Sequence, residues 1–137
     1  MITSDRQLKT TLEKVKALEE SLKLKPGITN SSLIRAAQMQ TTSLIEELKQ
    51  KVDEYNNLKS IGLDAIKISS PEDMMLLPIR YRIAKHMTQE VFAKSVDVSL
   101  RMITRYEAEE YRNITGETLK KILNKIPLKI LGKLKEA

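Results

Sequence analysis

The chain contains neither cysteine nor tryptophan. Without cysteine there is no disulfide, no thiolate zinc site and no thiol nucleophile. Aromatic residues are 4% of the 137, four Tyr and one Phe. Leu, Ile, Val and Met must therefore fill any core, which suits helices crossing helices better than a β-sandwich. Glycine and proline number four each, too few for a fold built from many tight turns. No apolar run approaches the roughly 20 residues that span a bilayer. The opening Met1-Ile2-Thr3-Ser4-Asp5-Arg6 shows no basic stretch leading into an apolar one, so no secretory leader and a cytoplasmic location are expected. His86 is the single histidine; lacking a second His or a Cys beside it, it implies neither a metal site nor a cofactor.

Hydrophobic residues make up 41%, near the globular norm. The net charge of +6 is unevenly placed. Residues 1–78 carry 11 Lys/Arg against 11 Asp/Glu, whereas residues 79–137 carry 13 against 7. The whole excess lies in the C-terminal part, and a polyanion is the natural partner for it.

The apolar spacing predicts an all-α chain. Ser4 and Gln7 fit a capping box, and Leu8, Leu12, Val15, Leu18 and Leu22 then line one helix face. Pro26-Gly27 is expected to end that helix. A second helix is expected from Asn30 or Ser31, with Ile34, Ala37, Thr41, Leu44, Leu48, Val52, Tyr55 and Leu58 as its stripe. Residues 1–60 thus read as an antiparallel helical hairpin. A two-helix hairpin covers its own seam poorly, so Leu8, Leu12, Val15, Leu44, Leu48 and Val52 are expected to form a homodimer interface. Packing onto the rest of the same chain is the alternative. In residues 61–70, Ile61, Leu63, Ile66 and Ile68 suggest a short strand or linker. Ser70-Pro71-Glu72-Asp73 then opens a third helix, which begins a second domain over 71–137.

Within that domain two short helices follow one another. Thr88 caps the first, whose Val91, Phe92 and Ser95 are expected to face inward, with Ala93 small enough for close helix approach. Val96-Asp97-Val98 is a tight turn. Ser99 caps the second, whose Met102, Ile103 and Tyr106 point inward. This is the helix-turn-helix pattern. Ser99, Leu100, Arg101, Thr104 and Arg105 occupy the start and outer face of the second helix and are the candidates for reading bases. Two arginines a turn apart suit guanine O6 and N7 in the major groove. Thr88, Gln89, Arg112, Asn113 and Thr115 are candidates for phosphate contacts, from side chains or from free amides at helix starts.

Residues 77–128 resemble the Cro/lambda-repressor (XRE) family of helix-turn-helix regulators. The matching residues are Ile79-Arg80-Tyr81-Arg82, Thr88-Gln89-Glu90, Phe92-Ala93, Val98-Ser99, Ile103, Arg105-Tyr106-Glu107 and Leu119. The resemblance implies a five-helix domain that binds double-stranded DNA. It implies phosphate contact for Gln89, base reading for Leu100, Arg101 and Arg105, and a structural role for Glu107. Asp97 stands where the family usually has Gly, and Leu100 is apolar where a polar reader is common. Ile2-Thr3-Ser4-Asp5-Arg6-Gln7 and Tyr55-x-x-Leu58 are similar to the two-helix extension of regulators that resemble host-inhibition antitoxins. That similarity implies a toxin protein as a partner of the N-terminal half.

No catalytic constellation competes. Glu19-Glu20, Glu46-Glu47 and Glu109-Glu110 are adjacent in sequence, so on helices each pair diverges by about 100°. There is no Gly-rich phosphate loop, nucleophile elbow or HExxH. The expectation is a non-enzymatic, sequence-specific transcriptional repressor, with an autoregulating antitoxin as the alternative.

Overall fold

The computed structural model describes residues 1–24 and 31–137. The turn expected at Pro26-Gly27 and the cap expected at Asn30 lie outside the described residues. All regular structure among the described residues is helical. The chain divides into two compact units, Met1–Ala65 and Ile66–Ala137.

The first unit is a hairpin of α1 (Asp5–Leu22) and α2 (Ser31–Ser60). Ser4 caps α1 by accepting the Gln7 N–H at 3.2 Å. Gln7 reaches back one residue further than a standard box, accepting the Thr3 N–H at 2.8 Å. Val15, Ile45 and Leu48 form the hairpin's core, with Leu18, Leu22 and Leu44 packed against it. Tyr55 is buried at the other end, where its hydroxyl donates to Asp5 Oδ1 at 2.7 Å. Of the expected dimer seam, Val15, Leu48 and Val52 are already buried by the pairing of α1 with α2. Leu8 and Leu44 are half-buried, and only Leu12 is exposed. The hairpin therefore covers more of its own seam than two helices were expected to, and Ile45, outside the expected stripe, is buried with it.

In place of a strand in residues 61–70 there is a short 3-10 helix, Gly62–Ala65, followed by irregular chain. A strand needs a partner for its backbone groups, and among the described residues no other strand exists to supply one.

The second unit holds α3 (Pro71–Ala84), α4 (Gln89–Ser95), α5 (Leu100–Ala108) and α6 (Gly116–Lys125). Ser70 and Asp73 form a complete capping box at α3, with Pro71 in the first turn. Asp73 also accepts from Arg80 Nη1 at 2.8 Å. That guanidinium, with the Ser69 amide, holds the Asp73 carboxyl well below the usual carboxylate range. Ile79, Phe92, Ile103, Tyr111 and Ile122, drawn from all four helices and the segment after α5, are wholly buried. Each stabilises the fold by about 1.5–3 kcal/mol.

Four α-helices are present here, where five were expected. After α6, Pro127 holds Ile126 in extended backbone (φ −78°, ψ 125°), and residues 126–137 are not helical.

The helices α3, α4 and α5 all end the same way, without glycine. His86, Asp97 and Glu110 take left-handed backbone at φ 56°, 55° and 53°. In each case the next amide donates back across the helix end: Met87 to Arg82, Val98 to Ala93 and Tyr111 to Tyr106, at 3.0, 3.0 and 2.7 Å. These are Schellman closures. The third also brings the Tyr106 and Tyr111 rings within 5.6 Å, the apolar contact such closures favour. Asp97 thus fills the family's Gly position by adopting the glycine-like conformation itself.

Candidate nucleic-acid interface

The α4–turn–α5 unit is built by its caps. Thr88 accepts the Val91 N–H at 3.1 Å and Ser99 accepts the Met102 N–H at 3.3 Å. Thr115 does the same for α6, accepting from Thr118 at 3.2 Å. The side chains of Thr88, Ser99 and Thr115 are therefore committed to helix ends, and what they offer a nucleic acid is chiefly the amides they leave free.

On α4, Phe92 and Ala93 are buried while Val91 faces outward. On α5, Ile103 and Glu107 are buried. Leu100, Arg101, Thr104 and Arg105 are all exposed, and Arg101 and Arg105 lie on the face opposite that pair. Leu100 is 44% exposed. Arg105 makes one loose surface pair, Nε to Glu109 at 3.4 Å. Arg112 likewise pairs with Glu110 at 3.2 Å, and Asn113 is exposed. Exposed pairs of this kind contribute only about 0–1 kcal/mol, so both arginines can readily exchange partners.

Behind this face lies a network that residue spacing does not reveal. Arg82 of α3 and Glu107 of α5 are 6% and 4% exposed. They form a two-pronged ion pair, Nε–Oε2 at 2.7 Å and Nη2–Oε1 at 2.6 Å. Arg82 Nη1 also donates to the Met87 carbonyl at 3.0 Å. Glu107 Oε1 accepts Gln89 Nε2 at 3.1 Å, and Gln89 Oε1 accepts the Thr104 hydroxyl at 2.9 Å. Arg82, Glu107, Gln89 and Thr104 thus tie α3, α4 and α5 together. Two of them are expected from the sequence to meet DNA in different ways, Gln89 at a phosphate and Thr104 at a base, and they meet each other side chain to side chain. The family resemblance marks Glu107 as structural; it includes Arg82 but does not pair the two, because they lie 25 residues apart.

Nor does the sequence pattern place Tyr111 in the core. It is wholly buried in left-handed backbone at φ 59°, and its hydroxyl has no hydrogen-bond partner. Burial, and then the charge of Glu107, push that hydroxyl above the ordinary tyrosine value.

Among the described residues, no group of three or more acidic or histidine side chains could hold a metal ion. None of their helices is long and apolar enough to cross a membrane.

Residues 79–131 match the helix-turn-helix family model. No curated protein and no solved structure matches the chain. The matched residues run from α3 through α6 and contain the capped α4–α5 pair, its exposed arginines and the ion pair behind them. This part of the chain is a helix-turn-helix domain of the Cro/lambda-repressor (XRE) type, and the protein is a DNA-binding transcription regulator.

Proposed function

We propose that the protein is a sequence-specific repressor that binds a two-fold-related operator in double-stranded DNA as a homodimer and blocks access to it. One observation carries this: Arg101 and Arg105 stand exposed, one turn apart, on the face of α5 opposite buried Ile103 and Glu107. Inserted in the major groove, that face reads bases while α4 and the amides near Thr88 and Thr115 meet the backbone. Arg112 and Asn113 extend the phosphate contacts. The site of action on this reading is the cytoplasm, and no catalysis is involved. Replacing Arg101 or Arg105 with Ala is expected to cost about 1–3 kcal/mol on the cognate duplex and to relax preference at one base pair. Wild-type affinity and preference in the double variant would remove α5 from the interface.

Dimerisation on this reading uses Leu12 and the open edges of Leu8 and Leu44, with Val15, Leu48 and Val52 supporting them from within. Sedimentation of a monomer at micromolar concentration would exclude it. An antitoxin role is the second reading. The hairpin is a compact unit of its own and leaves Leu12, Leu33 and Met39 exposed. These side chains suit a protein partner such as a toxin, whose gene the same repressor would regulate. Co-purification with the product of a neighbouring gene tests this.

A further inference from the structure

We infer that Thr104 is a positioning residue, which orients Gln89 toward the DNA backbone and reads no base. This rests on the DNA-binding reading above. Thr104 lies on the exposed face of α5, where a base reader is expected, yet its hydroxyl is spent on Gln89 Oε1 at 2.9 Å. The other end of the Gln89 amide donates to Glu107 Oε1 at 3.1 Å. Glu107 in turn is fixed by both prongs of Arg82. A glutamine amide has two ends that differ chemically: the oxygen only accepts, and the nitrogen only donates. Turning the amide over would set its oxygen against the Glu107 carboxylate. Glu107 therefore selects one orientation of Gln89, and the Thr104 hydroxyl holds the amide there before any ligand arrives.

Each bond uses one function of the amide. The nitrogen has two N–H groups, and one of them is taken by Glu107. The second is the donor available to a phosphate oxygen. A side chain held in its binding geometry loses less freedom on association, so the tie to Thr104 appears as affinity for DNA. Phosphates are alike in every sequence, so this affinity carries no base preference. A threonine that read a base would show the opposite behaviour.

The test uses the full chain, a labelled duplex selected by the wild-type protein from a random pool, and a scrambled duplex of equal composition. Thr104→Val keeps the β-branched shape and removes the hydroxyl. It is expected to weaken both duplexes alike, by about three- to tenfold, the worth of one hydrogen bond. The cognate-to-scrambled ratio should not move, and the melting temperature should fall by no more than the few degrees that one exposed hydrogen bond carries. Thr104→Ser restores the hydroxyl and should bind within about twofold of wild type. The Thr104→Val/Gln89→Ala variant should be no weaker than Gln89→Ala alone, because the two residues act through one contact. A fall in the cognate-to-scrambled ratio with Thr104→Val would make Thr104 a base reader and overturn the inference. So would unchanged affinity in that variant, or failure of Thr104→Ser to restore it. The Arg101→Ala/Arg105→Ala variant separates the two levels. If it loses cognate preference while Thr104→Val behaves as wild type, DNA reading by α5 stands and the positioning role falls.

Discussion

Replacing Glu107 with Gln removes one charge and almost no volume from the centre of the helix-turn-helix unit. Glu107 is 4% exposed and accepts three bonds, two from Arg82 and one from Gln89. A glutamine presents one accepting and one donating end to three donors, so a donor must face a donor. Arg82 is itself only 6% exposed. It would retain its bond to the Met87 carbonyl but lose its counter-ion. Breaking a buried pair in this way costs about 3–5 kcal/mol. Small domains are stable by about 5–15 kcal/mol, so a large share of the total is at stake. At about 4–8 °C per kcal/mol, the melting temperature should fall by about 12 °C or more. The melt should be followed by the near-ultraviolet signal of Tyr81, Tyr106 and Tyr111, since three of the four tyrosines lie in the unit that holds the pair. The companion variant, Arg82→Met/Glu107→Leu, removes both charges and should recover much of the loss, because no buried charge is left without a partner. A shift of less than about 3 °C in Glu107→Gln would refute the argument, because it would show the site to be wet enough to solvate Arg82 alone.

Other variants probe the backbone and the edges of the same unit. Asp97→Gly should raise stability by up to about 1 kcal/mol by relieving left-handed strain, less the weak exposed pair between Asp97 and Lys125, whereas Asp97→Val should lower it; denaturant midpoints compare the two. Tyr111→Phe removes a buried hydroxyl without a partner and should leave the melting temperature unchanged or higher. Asp73 titrates below its ordinary value in the folded chain, so its contribution to stability is complete above about pH 4 and is lost as the pH falls toward the lower folded value. Asp73→Asn should therefore be less stable at neutral pH by about 1 kcal/mol and should lack that part of the acid loss, read by urea unfolding at several pH values.

The caps at Ser4, Ser70, Thr88 and Ser99 are legible in the sequence because a cap acts on amides two or three residues away and leaves a short-range signature. Glu107 is marked by family resemblance, and Asp97 by its place in the turn. His86 and Glu110 also close helices in left-handed backbone, but nothing in their residue types announces it. The bonds joining Arg82 to Glu107 and Gln89 to Thr104 span 25 and 15 residues, distances at which periodicity says nothing about side-chain pairing. Spacing assigns Gln89 and Thr104 to DNA singly, since it cannot show that they hold one another. The end of α6 is legible at Pro127, which holds Ile126 in extended backbone, whereas the fifth helix that the resemblance implies is absent from residues 126–137.

The Arg82–Glu107 pair also bears on how this domain could change its target over time. The contacts that fix the pose of α5 reach it from behind, through Ile103 and Glu107, or from one side, through Thr104. Arg101 and Arg105 contribute little to that pose, since both are exposed and Arg105 makes only one loose pair, with Glu109. On the proposed reading of α5, drift at these two positions is nearly free of folding cost, and an altered operator could be met by altering them. A duplicated copy of this gene could acquire a new binding site in a few steps while its scaffold stayed under unbroken purifying selection.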